Sequence, residues 1–139
     1  MMTYRVSRLL LILLEGFLAL TAIGGGIGLI TGRLAMPVAY LSGSIFTSFM
    51  IPGLSLMVVV GGLAIVGTVL VAKRHRFAPA ATAVSGLAII FFEVVEVMVI
   101  GSPVGVARNL QVFYLGLGLM ILVASLPPLA QLRHGPARA

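Results

Sequence analysis

"PAATAVSGLAIIFFEVVEVMVI", residues 79–100, decides how the rest of the chain is read. As a helix it rises roughly 33 Å, about the thickness of a bilayer's hydrocarbon core. Its outer part, "FFEVVEVMVI", nevertheless carries two carboxyl groups, Glu93 and Glu96. At about 100° per residue, Thr82, Ser85, Gly86, Glu93 and Glu96 share an arc of roughly 100°, while Val84, Leu87, Phe91, Val94, Val95 and Met98 take the other side. Such segregation predicts a polar face turned toward other helices, because a carboxylate facing hydrocarbon costs at least ~2.5 kcal/mol. Two acids at i and i+3 also repel when both ionise, an arrangement poorly suited to a purely structural role.

Composition supports a lipid-solvated chain. Of 139 residues, 60% are hydrophobic and 9% charged, with a mean hydropathy of +1.22, which leaves too little polar surface for a soluble domain. No cysteine is present, which excludes disulfides, thiolate metal sites and thiol catalysis. The net charge of +6 comes in short clusters beside apolar runs, a pattern for anionic headgroups and not for nucleic acid. Eight Arg against one Lys, with much Ala and Gly, points to a GC-rich bacterial genome.

Four spans are predicted, at about 9–31, 51–72, 79–100 and 110–130. The fold class is therefore all-α, a transmembrane four-helix bundle forming one integral membrane domain over 1–139. "KRHRF" makes a tight basic connection after span 2, and "GSPVGVARN" a turn-rich one after span 3. "GRLAMPVAYLSGSIFTSFMIPG", between spans 1 and 2, is too long for a turn and too apolar for a solvated loop. It reads as interfacial or partly re-entrant, with Tyr40, Phe46 and Phe49 at headgroup depth. Arg5, Arg8, Lys73, Arg74, Arg76, Arg133 and Arg138 fall on one side, and Arg33 and Arg108 on the other. The positive-inside rule then puts both termini in the cytoplasm of a cell whose inner (plasma) membrane the chain crosses. A signal peptide is the rival reading of the first segment, but Glu15 in mid-run and a length near a full span argue against cleavage.

The third acid, Glu15, lies in "LLLILLEGFLAL". Leu13, Leu20, Ile23, Ile27 and Ile30 form one arc of span 1, with Glu15, Ala19, Ala22 and Gly26 opposite. Gly24, Gly28 and Gly32 make a second small-residue row. Such rows serve close helix packing, and here they predict a homodimer or a contact with a partner membrane protein. On span 4, Gln111, Tyr114, Gly118 and Ser125 align. By depth, Glu93 and Glu96 match Gln111 and Tyr114, and Glu15 lies nearer Thr68 and Ser125.

The candidate binding residues are thus Glu15, Glu93, Glu96, Gln111 and Tyr114, with Arg33 and Arg108 as charge partners for Glu96. Intramembrane acids suit a proton relay, a cation site or ion coordination. The plainer alternative is hydrogen bonding between helices. "GGGIG" lacks the Lys-Ser or Lys-Thr of a phosphate loop. His75 and His134, at the basic ends, read as headgroup contacts and not as metal or haem ligands. No Ser–His–acid set shares one depth, so neither enzymatic hydrolysis nor a cofactor is expected. "RHGPARA" reads as a short flexible tail.

Taken together, "LLEGFLALTAIGGGIGLITG", "SIFTSFMIPGLSLMVVVGGLA", "AIIFFEVVEVMVI" and "FYLGLGLMIL" resemble a group of uncharacterised small bacterial four-helix integral membrane proteins. In architecture alone the chain is similar to small multidrug resistance transporters, which place a proton- and cation-binding glutamate in their first helix, as Glu15 is placed here. The long first loop, the lack of Trp and the additional Glu pair depart from that family. The expectation is a binding or accessory membrane protein with an intramembrane polar pocket, the alternative a proton-coupled transporter of small molecules or cations.

Overall fold

The computed structural model describes residues 4–134, with side chains from 5 to 131. Arg138 and most of the C-terminal tail lie outside the described residues, as do the side chains of Arg133 and His134. Four long helices make up the chain: α1 (Tyr4–Thr31), α2 (Met50–Ala72), α3 (Ala78–Ile100) and α4 (Val106–His134). All four are long and apolar enough to cross a membrane, and no strand occurs among the described residues. The predicted spans are recovered, with two differences at the ends. Helix α1 carries Arg5 and Arg8 into its first turns, and α4 begins at Val106, so Val106–Asn109 are helical and not part of the turn. Gly105, at φ 116°, reverses the chain there and leaves the next residue free to start a helix.

Around the bundle the order is α1, α2, α3, α4 and back to α1, so α1 and α3 face each other across the diagonal. Small residues set the closest approaches. A Cβ on Gly26 would lie 2.5 Å from the Gly53 carbonyl oxygen, and one on Gly118 would lie 2.7 Å from Ile89 Cγ2. Gly86 likewise meets the Gly118 carbonyl. These glycines let α1 dock on α2, and α3 on α4, nearly backbone to backbone. Ile23 and Ile30, expected to face lipid with Leu13, Leu20 and Ile27, instead cover Gly61 and Gly53 of α2. Periodicity alone misplaced them because a bulky side chain fits wherever the facing residue is glycine. The row Ala19, Ala22 and Gly26 is buried within the chain. In the second row Gly28 is covered by Leu34, while Gly24 is open.

The core runs through the middle of the bundle: Leu18, Ala22, Val60, Ala64, Ile89, Leu117 and Ile121 are all buried. At the basic end, Arg8 Nε and Nη2 donate to the carbonyls of Val71 and Ala72, at 3.1 and 2.7 Å. The guanidinium thus serves the Ala72 carbonyl, and adds a second donor to that of Val71, which already accepts from the Arg74 backbone N–H, at a helix end that also favours positive charge. Arg74 takes a left-handed conformation in the turn that follows, and Arg76 lies over the Phe77 ring. His75 belongs to the same turn: its Nδ1 accepts from the Phe77 backbone N–H.

The connection between α1 and α2 folds as one short 3₁₀ turn, Val38–Leu41, and a series of bends. It lies over the C-terminal part of α3, with Leu41 buried. Phe46 and Phe49 turn toward the protein, where they line a chamber, and Tyr40 is half-buried. All three aromatic residues that read as headgroup anchors are thus half-buried, and two of them line the chamber. Next to this loop α2 starts with Pro52 and widens into a π-helical stretch, Ser55–Val60.

Candidate functional site

The three glutamates occupy two different settings. Glu15 is fully buried, and Ser85 Oγ donates to its Oε2 at 2.8 Å. This bond joins α1 to α3 across the bundle. Gly67 of α2 makes room for the carboxyl group, since a Cβ there would sit 3.0–3.1 Å from Cδ and both oxygens. Thr68 and Ser125, the neighbours expected from depth, bond back to their own helices at Ala64 and Leu122. Depth along the helices does not say which helix stands opposite. Thr82 also bonds within its own helix, at Pro79, so Ser85 is the buried hydroxyl that reaches across. Glu15 Oε1 has no partner among the described residues.

Glu93 and Glu96 lie farther along α3, about 12 and 16 Å beyond Ser85 at 1.5 Å per residue. Glu93 is 3% exposed, and Glu96 is half-buried. Gln111, 2% exposed, donates through Nε2 to Glu96 Oε1 at 3.2 Å and to the Gly101 carbonyl at 3.0 Å. It therefore ties α4 to the C-terminal end of α3. Glu93, Glu96 and Tyr114 line a small cavity of about 60 Å³. Sequence reading placed these four residues together, and the fold brings them to one end of the bundle.

The charge partners proposed from sequence stand elsewhere. Arg108 Nε and Nη2 donate to the Ser102 carbonyl at 3.0 and 2.6 Å, and Nε also to the Ser102 hydroxyl. The side chain closes the α3–α4 turn. Arg33 is exposed.

Two acceptors in this cluster, Glu93 Oε2 and Gln111 Oε1, are buried with no hydrogen-bond partner among the described residues. Buried acceptors normally have a donor, so each marks a place for a group the chain does not itself supply. Beside the small cavity lies a chamber of about 320 Å³, missed by sequence reading because the loop that roofs it could not be placed. Leu29, Met36, Phe92 and Glu96 line both spaces. Between the Glu93–Glu96 cluster and Glu15 lies an apolar layer in which Leu18, Ile89 and Ile121 are fully buried.

Comparison of the chain with protein-family models, curated proteins and solved structures found no match in any of the three.

Proposed function

We propose that this chain is a multi-pass inner-membrane protein with both termini in the cytoplasm, of binding or accessory type, and that Glu93, Glu96, Gln111 and Tyr114 form its recognition site. One observation carries the reading: Glu93 Oε2 and Gln111 Oε1 are buried acceptors without donors among the described residues, beside a cavity that Glu93 and Glu96 line. Acceptors concentrated in this way suit a guest that brings N–H donors and positive charge. A monocation placed between two carboxylates at i and i+3 also removes their mutual repulsion. In the free protein, protons and one or two waters can serve the cluster, since a water occupies ~30 Å³ in the liquid. They are what a guest displaces.

Transport by proton exchange would link Glu15 to the outer pair. The apolar layer at Leu18, Ile89 and Ile121 interrupts that path, which favours binding without exchange.

The test is a titration of protein with ¹³C-labelled glutamate, in phosphatidylcholine vesicles, with methylammonium. Saturable shifts of the Glu93 and Glu96 carboxyl resonances are expected, with Glu15 unmoved. Glu93→Gln and Glu96→Gln should each weaken the response about tenfold or more, the worth of one charge-assisted hydrogen bond. Resonances that ignore methylammonium at every concentration would end the proposal.

A further inference from the structure

The polar cavity and the apolar chamber meet at one residue that can serve both. Glu96 lines each of them, and Gln111 holds its Oε1 from behind. The chamber is otherwise walled by side chains such as Phe46, Phe49, Val59, Phe91, Val95 and Val99, and at about 320 Å³ it falls at the lower end of the ~300–1,000 Å³ typical of ligand pockets. Its roof is the 32–49 loop, which contributes Met36, Leu41, Phe46 and Phe49. Side by side, then, stand a cavity with two carboxyl groups and one phenol, Tyr114, and a chamber that is apolar apart from Ser55 and Glu96.

We infer that the two spaces together take one amphiphilic organic amine: its ammonium group between Glu93 and Glu96 in the small cavity, its apolar body in the chamber under the loop. This rests on the reading of the outer cluster as a cation site and adds the class of molecule. Gln111, 2% exposed, lines neither space and serves the site by holding Glu96, its donors going to Glu96 and Gly101. An ammonium carries up to three N–H donors and meets the carboxyl groups of Glu93 and Glu96 here, whereas a quaternary ammonium carries none. The chamber's modest volume suits a single chain or ring better than the paired tails of a membrane lipid. Because lipid tails are as apolar as the chamber wall, the body contributes fit more than hydrophobic gain.

The experiment uses the full chain in phosphatidylcholine vesicles, whose headgroup has no N–H. Decylammonium, decyltrimethylammonium and methylammonium are titrated against the assigned Glu93 and Glu96 carboxyl resonances, with concentrations expressed per lipid. Decylammonium is expected to saturate the site, and decyltrimethylammonium to bind about tenfold or more weakly for want of N–H donors. Ala88→Phe, which fills the chamber, should remove the decylammonium response and leave that to methylammonium. A second measurement needs no variant: contacts from the decyl methylenes to the Val59, Val95 and Val99 methyl groups in the unmodified chain. Absence of those contacts at saturation, or equal decylammonium binding in Ala88→Phe, overturns the inference while the cation site stands. A site silent to methylammonium as well as to decylammonium removes both. Adding ethanolamine lipid to the vesicles separates the two sources of the amine: competition with decylammonium would assign the site to a lipid headgroup and overturn the single-tail inference.

Discussion

Glu15 and the Glu93–Glu96 pair place the same functional group near opposite ends of one bundle, and the surroundings divide their roles. Around Glu15 everything is closed: a donor from Ser85, the bare backbone of Gly67, and no exposed surface. Around the Glu93–Glu96 pair the protein leaves room, with two cavities and a half-exposed carboxyl group; a buried acceptor without a donor among the described residues occurs in both places, Glu15 Oε1 included, so the adjoining space makes the difference. A buried polar group that spans helices and fills its space holds a bundle together. One that borders a void and lacks partners is available to something else. The difference lies in packing, since the residue type is the same.

Added volume gives the largest expected contrast. Gly67→Val would drive a side chain into the Glu15 carboxyl group, and we expect about 1–3 kcal/mol of lost stability, the usual cost of overpacking. The matching change at the other end, Ala88→Leu, enters the chamber and should cost less than about 1 kcal/mol, within the range of a tolerated core swap. Unfolding in mixed micelles by SDS, followed by circular dichroism, measures both. Equal losses would erase the distinction between the two ends.

Removing a donor comes next. Ser85→Ala deletes the group that Glu15 accepts from and should cost about 0.6–1.7 kcal/mol, the range for hydrogen bonds between helices in a bilayer. Glu93→Gln introduces an amide donor where acceptors lack one, so stability in the same assay should hold or rise. A fall as large as that of Ser85→Ala would mean that Glu93 is a structural tie as well.

The smallest effects belong to the two arginines that close helix ends. Arg8→Ala frees the Ala72 carbonyl at the tight end and should cost about 0.3–1 kcal/mol. Arg108→Ala, whose bonds to Ser102 are exposed, should cost a few tenths of a kcal/mol, as exposed contacts do. A larger loss at Arg108 than at Arg8 would reverse the order of the two ends.

How much of this was legible in the sequence depends on what periodicity carries. It gives a helix its faces, and so the arc of Ser85, Glu93 and Glu96 on α3 could be drawn before any contact was known. It does not say which helix meets a face. That is why Glu15 was matched by depth to Thr68 and Ser125 and not to Ser85, which sits at the same level on the diagonal helix. Nor does it foresee that Ile23 and Ile30 would pack on glycines, for that needs the facing residue. The role of Arg8 was hidden because its charge already had an explanation in the headgroups. Loop 32–49 was the least readable part, having neither period nor polarity to orient Phe46 and Phe49.

The glycine contacts have a mechanical consequence. They tie α1 to α2 and α3 to α4, through Gly26 with Gly53 and Gly86 with Gly118, and none of the described glycines makes such a contact across the α2–α3 or α4–α1 seams. The molecule is thus a pair of stiff clips laid together, with Glu15 and Ser85 as a pivot toward one end and the hollow toward the other. Any rocking of one clip against the other would turn about that pivot and move most at the end where the loop roofs the hollow.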